Sequence, residues 1–391
     1  MDSIVASSRL TRVAAQIGFG GRIFCSSSLR NSFLTYAEPT MALSTYEHEL
    51  HLAVRAARLA ARLCQTVQKK LLAKETQSKA DQSPVTVADY GSQALISWAL
   101  QRECGSETFS MVAEEDADDL RGKDGLEMLL RITDLVNEAI IAEGVQNAPK
   151  LSKENVLEAV DKGRSQGGPV GRHWVLDPID GTKGFVRGDQ YAVALALLDE
   201  GDVVLGVLAC PNLPLKGVSA QSSSGIPVGC LFSARKGAGT MLQSLDDSFV
   251  PQKVHVSDVD DPAHANFCES FEAAHSRQSL TERIAKIMGV KAPPVRIDSQ
   301  AKYGAMARGD AAIYMRFPHV GYREKIWDHA AGCIVIQEAG GVVCDAAGNR
   351  LDFSKGRYLD VEHGIMATNP KLMPTFLASV QAALEAENRV S

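Results

Sequence analysis

Apolar residues return every three or four positions from Leu52 through Ala56, Leu59, Ala60, Leu63 and Val67. This stripe predicts a first helix. The segment Ser44-Thr-Tyr-Glu47 ahead of it has the spacing of a capping box. A second helical stretch, marked by Ala94, Leu95 and Trp98, opens at Asp89 in the position of an N-cap and closes near Gly105. The period then changes. Short apolar runs at 109–113 and 174–176 read as strands, and both end on acids. Tyr191 to Cys210 reads as a hairpin of two apolar strands turning at Asp199-Glu-Gly-Asp202, and a further strand begins at Cys230. From about Val254 strand and helix patterns alternate: a helix over 276–288, a strand over 311–315, and helices over 328–339 and 370–387. Asp328 stands at the N-cap of the third of these, and Gly340-Gly341 close it. An α+β first domain, residues 44–251, and an α/β second domain, residues 252–391, follow from this order, with the boundary near Pro251.

The stretch Trp174-Val-Leu-Asp-Pro-Ile-Asp-Gly-Thr-Lys-Gly-Phe185 carries the clearest chemistry. Pro178 fixes its own φ and pushes Asp177 toward an extended conformation, so the acid ends a strand. Gly181 permits a sharp turn, and the amides of Gly181, Thr182 and Lys183 can then point one way and attract an oxyanion. Two acids so close, Asp177 and Asp180, repel unless a cation separates them or a proton is shared. Mg²⁺ suits such a pair because it takes oxygen ligands and keeps waters that a phosphate can replace. A bare Asp-Pro-x-Asp also reads as a solvated surface turn; the longer string is what favours the cradle.

Three further acidic segments accompany it. Ser83-Pro-Val-Thr-Val-Ala-Asp89 delivers an acid, which alone reads as a helix cap. Phe109-Ser-Met-Val-Ala-Glu-Glu115 delivers a pair at a strand end, within an acidic cluster that alone reads as a solvated loop. Ile326-Trp-Asp-His-Ala-Ala-Gly332 delivers Asp328, followed by residues small enough for a helix to pack closely.

Together, in this order, the segments resemble the signatures of the lithium-sensitive, Mg²⁺-dependent phosphatases, the group of inositol monophosphatases, fructose-1,6-bisphosphatases and 3′(2′),5′-bisphosphate nucleotidases. Ala113 stands where that family usually has Gly. The resemblance implies the inositol monophosphatase-like sugar-phosphatase fold, layered αβαβα. It implies that Glu114, Asp177 and the Ile179 carbonyl bind one Mg²⁺ and that Asp177, Asp180 and Asp328 bind a second. A third, weaker ion falls near Glu114, with Glu115 an outer ligand. Asp89 and Thr182 would orient the attacking water. Such chemistry needs positioning and charge stabilisation rather than a nucleophilic Ser or Cys.

The segments between the acids narrow the substrate. Cys268-Glu-Ser-Phe-Glu-Ala-Ala-His-Ser276, Asp298-Ser-Gln-Ala-Lys-Tyr-Gly304 and Tyr314-Met-Arg-Phe-Pro318 resemble stretches of the plant-type 3′(2′),5′-bisphosphate nucleotidases. By that resemblance His275, Ser299, Lys302 and Arg316 contact the nucleotide, together with Gly181, Thr182 and Asp328. Alone, Lys302 reads as a solvated helix residue and His275 as a loop histidine. The implied reaction removes the 3′-phosphate from 3′-phosphoadenosine 5′-phosphate or its sulfated form, with weaker action on inositol bisphosphates and inhibition by Li⁺. Lys302 and Arg316 would hold the phosphate that is not cleaved, Arg316 through a bidentate fork. An inositol phosphatase acting on mono- or polyphosphates and a noncatalytic nucleotide sensor are the rival readings. A P-loop nucleotidase is excluded, because no G-x-x-x-x-G-K-[ST] occurs.

Composition adds limits. The net charge of −6 argues against binding a nucleic-acid polymer. No stretch approaches about 18 uninterrupted apolar residues, so no membrane span is expected. The expected partner is a small nucleotide bisphosphate, and the protein a monomer or homodimer. Residues 1–41 hold four Arg, no Lys, seven Ser and only Asp2 and Glu38 as acids. That is the composition of a chloroplast or mitochondrial transit peptide; its removal takes the net charge from −6 to −8. A cytosolic tail with Met41 as a second start is the alternative. The eight Cys include no C-x-x-C and no zinc spacing. Cys210 and Cys230, at facing ends of successive strands, form a candidate regulatory disulfide.

Overall fold

A computed structural model describes residues 45–74, 83–105, 109–145, 148–218, 225–271, 278–318, 321–361 and 364–388. Ser44 and the proposed leader lie outside the described residues. The predicted stripe forms α1 (Glu47–Lys74), with Leu52, Ala56, Leu59, Ala60, Leu63 and Val67 buried. The second helix, α2 (Ser83–Cys104), begins six residues before Asp89, which therefore sits inside it rather than at its cap. Pro84 is compatible with a first helical turn. The β-branched run after it turns helical because burial outweighs propensity: Val87, Ala88, Ser92 and Leu95 are buried, the apolar members within the first core.

The chain continues through β1 (Met111–Ala113), α3 (Leu126–Ala142), α4 (Lys153–Asp161), β2 (Arg172–Asp180) and α5 (Thr182–Arg187). Next come β3 (Ala192–Asp199), β4 (Asp202–Pro214), β5 (Val228–Arg235), β6 (Gly239–Ser244) and β7 (Gln252–Val254). These seven strands form one sheet in sequence order, and only β1 and β2 run parallel. The predicted hairpin is β3–β4, closing at the Asp199–Asp202 pair. Cys210 faces Cys230 across β4 and β5; both are buried free thiols. Burial pushes the Cys210 thiol well up and Cys230 to about 11.

The second half follows as β8 (Phe267–Glu269), α6 (Gln278–Met288), β9 (Val295–Arg296), α7 (Ala301–Ala307) and β10 (Ile313–Arg316). It ends with β11 (Glu324–Lys325), α8 (Ala330–Glu338), β12 (Val342–Asp345), β13 (Tyr358–Leu359), β14 (Ile365–Thr368) and α9 (Met373–Asn388). A five-stranded sheet has the order β12-β14-β10-β8-β9, and β11 pairs with β13.

Alternation along the strands builds the layers. Val193, Leu195 and Leu197 of β3 face the core under α1 and α2; Ala192, Ala194 and Ala196 face the core that holds α7 and α8. In the second sheet Tyr314, Ile365 and Ala367 join that middle core, whereas Ile313, Met315 and Met366 pack with α6 and α9. The result is the expected αβαβα stack. Its middle helices need small residues: a Cβ on Gly332 of α8 would stand 2.3 Å from the Tyr303 ring. No described helix is long and apolar enough to cross a membrane.

Candidate active site

The strand ends bring the acids together. β1 delivers Glu114 one residue past its last pairing with β2. β2 does not stop at Asp177 as expected. It continues to Asp180, with a register shift between the two against β3. Pro178 lacks a ladder donor and is tolerated at such a break, and the bulge re-aims the acids while keeping both on one strand. Gly181 then turns the chain with φ 93°. A Cβ there would meet Ser299 Cβ at 2.8 Å, so the turn and the Ser299 loop need glycine to approach. Asp328 is not a helix cap either. It closes a 3₁₀ turn, Ile326–Asp328, and His329 takes the junction before α8 without a side-chain cap bond. The Asp328 carboxylate is thereby free to line the cavity.

That cavity, about 290 Å³, is lined by Glu114, Asp177, Ile179, Asp180, Gly181, Thr182, Ser299, Lys302, Arg316 and Asp328 among others. The Thr182 hydroxyl donates to the Ile179 carbonyl at 3.4 Å. Glu114 and Asp177 lie close enough to perturb each other's ionisation. Burial, then the charges of Glu114, Asp180 and Asp328, push the Asp177 carboxyl well up. Burial and Asp180 do the same to Asp328, and Glu114 is raised likewise. Asp180 is raised by burial against the opposing charge of Lys302 and a hydrogen bond from the Gln300 amide. Acids so placed cannot all ionise without a compensating cation. Asp177 Oδ1 is buried with no hydrogen-bond partner, as an oxygen reserved for a metal would be. Four carboxylates and a main-chain carbonyl make a hard oxygen donor set, which fits Mg²⁺.

The opposite charge enters from α7 and β10. Lys302 is buried and donates to Ser270 Oγ at 3.0 Å. Burial lowers its pKa against the pull of Asp180. Arg316 donates through Nε to Glu324 at 2.6 Å; burial works against its charge, but Glu324 and Tyr314 keep it cationic. Ser299 holds φ 65°, a strained setting for a non-glycine residue beside Gly181.

Glu324, Asp328 and His329 could offer a metal three ligand atoms within 4.8 Å of one another. Two of the three are already engaged. Glu324 uses one oxygen on Arg316 and the other on His329 Nε2 at 3.0 Å, and His329 Nδ1 meets Tyr303 Oη at 2.7 Å. Asp328 alone of the three is available to a metal.

Two predicted residues are not in the lining. Asp89 is buried on α2, close enough to Glu115, Glu114 and Asp177 to feel their charge. Glu115 is raised to about 7 by burial and by Glu114, Asp116 and Asp119, and its backbone is held by Gln93. His275 lies outside the described residues. The residues that sequence reasoning missed hold this site rather than line it with charge. Gln300 donates its amide to Asp180 and uses its side chain on Trp327 O and Gly332 N. It sits inside the quoted Asp298–Gly304 motif, so its position was visible there and its role was not. Glu324, His329 and Tyr303 were missed together as a buried chain.

This arrangement of acids at strand ends between two sheets defines a metal-binding phosphatase, and the chain belongs to the inositol monophosphatase family, which it matches over residues 45–385. Within that family it is 61% identical over 349 residues to a 3′(2′),5′-bisphosphate nucleotidase of Oryza sativa, covering 88% of this chain and 97% of the relative. It is 60% identical to 3′(2′),5′-bisphosphate nucleotidase 1 of Arabidopsis thaliana, covering 88% and 99%. Among solved structures, an inositol monophosphatase from Anabaena (Nostoc) sp. PCC 7120 shares the fold with TM-score 0.53 at 17% identity, covering 86% of this chain and 95% of that one. Inositol monophosphatase II from Staphylococcus aureus does so with TM-score 0.54 at 15% identity, covering 88% and 98%.

Proposed function

We propose that this protein is a Mg²⁺-dependent phosphatase that removes the 3′-phosphate from 3′-phosphoadenosine 5′-phosphate and its sulfated form, giving AMP or adenylyl sulfate and phosphate. One observation carries the reading: a single cavity is lined by four acids suited to divalent cations and, beside them, by cationic side chains that include Lys302 and Arg316. A monophosphate ester needs only the acids and their metals. Fixed cations beyond them suit a second phosphate that stays on the substrate. Relatives 60 and 61% identical bear the name of such nucleotidases.

In this reading Glu114, Asp177 and the Ile179 carbonyl hold one Mg²⁺, and Asp177, Asp180 and Asp328 hold the second. Bound Mg²⁺ would supply charge stabilisation and lower the pKa of a nearby water. The Gly181–Thr182 turn receives the scissile phosphate at the start of α5, and the Thr182 hydroxyl and Asp89 orient the attacking water. Ser299, Lys302 and Arg316 hold the remainder of the nucleotide. The test is phosphate release from 3′-phosphoadenosine 5′-phosphate and from inositol 1-phosphate, with Mg²⁺ and with added Li⁺. The nucleotide should be preferred in kcat/KM, Li⁺ should inhibit, and K302A and R316A should depress nucleotide turnover far more than inositol phosphate turnover. Equal or greater kcat/KM for inositol 1-phosphate would transfer the protein to the inositol phosphatases.

We also propose that residues 1–41 direct the protein to chloroplasts or mitochondria. Their Arg- and Ser-rich, acid-poor composition supports this, and the family match begins only at residue 45. A fluorescent fusion of residues 1–44 that remains cytosolic would refute it.

A further inference from the structure

Two chain segments far apart in sequence must meet at a fixed spacing for Glu114 and Asp328 to serve one metal cluster. Arg357 touches both. Its Nη2 donates to the Ala113 carbonyl at 2.6 Å, in the peptide that leads into Glu114. Its Nη1 donates to the Gly163 and Ser165 carbonyls, each at 3.0 Å. Gly163 and Ser165 are themselves laid against β1, through Ala113 N to Gly163 O and Ser165 N to Met111 O. On the other side the guanidinium lies 4.7 Å from the centre of the Trp327 ring, immediately before Asp328. The Arg357 carbonyl accepts from Ile326 N at 3.1 Å, which fixes the start of the 3₁₀ turn carrying Asp328. Gln93 grips the opposite flank of Glu114, bonding both the amide and the carbonyl of Glu115.

We infer that Arg357 is a positioning residue for metal binding: it sets the separation of the Glu114 and Asp328 limbs without touching a ligand or the substrate. The planar fork is what the task requires, since two nitrogens reach three carbonyls while the flat face rests on an indole. A lysine would keep the charge but could not span the same acceptors. The inference rests on Glu114 and Asp328 being metal ligands.

Electrostatics and positioning make opposite forecasts, which gives the test its force. Removing a positive charge near a cation site should tighten cation binding if charge is all that matters. If Arg357 positions the limbs, its loss should weaken binding by about tenfold, the lower end of what lost support around metal ligands costs. The experiment titrates the full-length protein with Mn²⁺ and follows free Mn²⁺ by electron paramagnetic resonance, beside a thermal unfolding measurement without metal. R357M should bind Mn²⁺ about tenfold more weakly and R357K should fall between it and the native protein. R323M removes a neighbouring charge, stacked 4.2 Å from the Tyr358 ring, and should bind like the native protein. R357M binding Mn²⁺ as well as or better than the native protein overturns the inference. Where R357M does not fold, R357K decides: native affinity overturns the inference and a several-fold loss supports it. E114Q and D328N separate the two layers of the argument. If neither weakens Mn²⁺ binding, the ligand reading itself has failed; if both do and R357M does not, only the role of Arg357 falls.

Discussion

Replacing Glu324 with Gln keeps the size of the side chain and removes one buried charge. Glu324 is 1% exposed and joins Arg316 to His329. Burial would push its carboxyl up; the hydrogen bond to His329, the charge His329 carries when protonated and the charge of Arg316 together outweigh burial and hold it down at about 2, against an ordinary value of 4.5. A carboxyl depressed by folding stabilises the protein above its unfolded value and loses that contribution as the pH falls through its folded value. The gap corresponds to about 3 kcal/mol at pH 7 and about 1 kcal/mol at pH 3. Gln can still accept one hydrogen bond, but its amide hydrogens face groups that themselves donate. Urea unfolding of E324Q should therefore show a loss of about 3 kcal/mol at pH 7 that narrows toward pH 3.

The same reasoning predicts coupling with Arg316. R316M leaves Glu324 buried with one partner fewer, a change that costs roughly 3–5 kcal/mol at a buried pair. The double variant E324Q/R316M should lose less than the two single losses added, by at least about 1.5 kcal/mol. In turnover, E324Q should raise KM for 3′-phosphoadenosine 5′-phosphate by about tenfold, since Arg316 loses its anchor. The Mg²⁺ concentration for half-maximal rate should stay within about twofold of the native value, because Glu324 has no oxygen left for a metal. Additive losses would refute the pairing argument. A Mg²⁺ requirement shifted as far as that of D328N would instead make Glu324 a metal ligand beside Asp328 and His329.

Asp177 is 2% exposed among four other acids, so D177N should raise the melting temperature of the metal-free protein by a few degrees, by about 2–4 °C for each kcal/mol of repulsion removed. The same variant should lose at least about a hundredfold in kcat, and native turnover by D177N would remove Asp177 from the site. Gly181→Ala places a Cβ 2.8 Å from Ser299 and 3.2 Å from the Gln190 carbonyl at φ 93°. It should cost about 1–3 kcal/mol in chemical unfolding and about tenfold or more in kcat/KM through displacement of the neighbouring acids; a fully stable, fully active G181A would show that the turn has room to relax.

The layers and most acids could be read from the chain because each rests on a local rule. The Leu52–Val67 stripe marks a helix face, β3 alternates large and small residues, and Glu114 and Asp177 each follow an apolar run. Two readings failed where tertiary burial overruled local form. Asp89 looks like the cap of the second helix, yet α2 already begins at Ser83, and Val87 and Ala88 are buried there in the core that also holds α1. Asp328 looks like a cap, yet its side chain turns to the cavity. The supporting groups had no local signature of their role. Gln93, Gln300 and Arg357 act chiefly on main-chain carbonyls and amides, which every residue offers, so neither partner marks the other by its chemistry. Arg357 and Ala113 are 244 positions apart, and no sequence period links them. A cluster of like charges must be held by something that does not share its charge, and buried amides and one guanidinium aimed at carbonyls meet that need. Their identity can be read only once the fold has brought them to the ligands they hold.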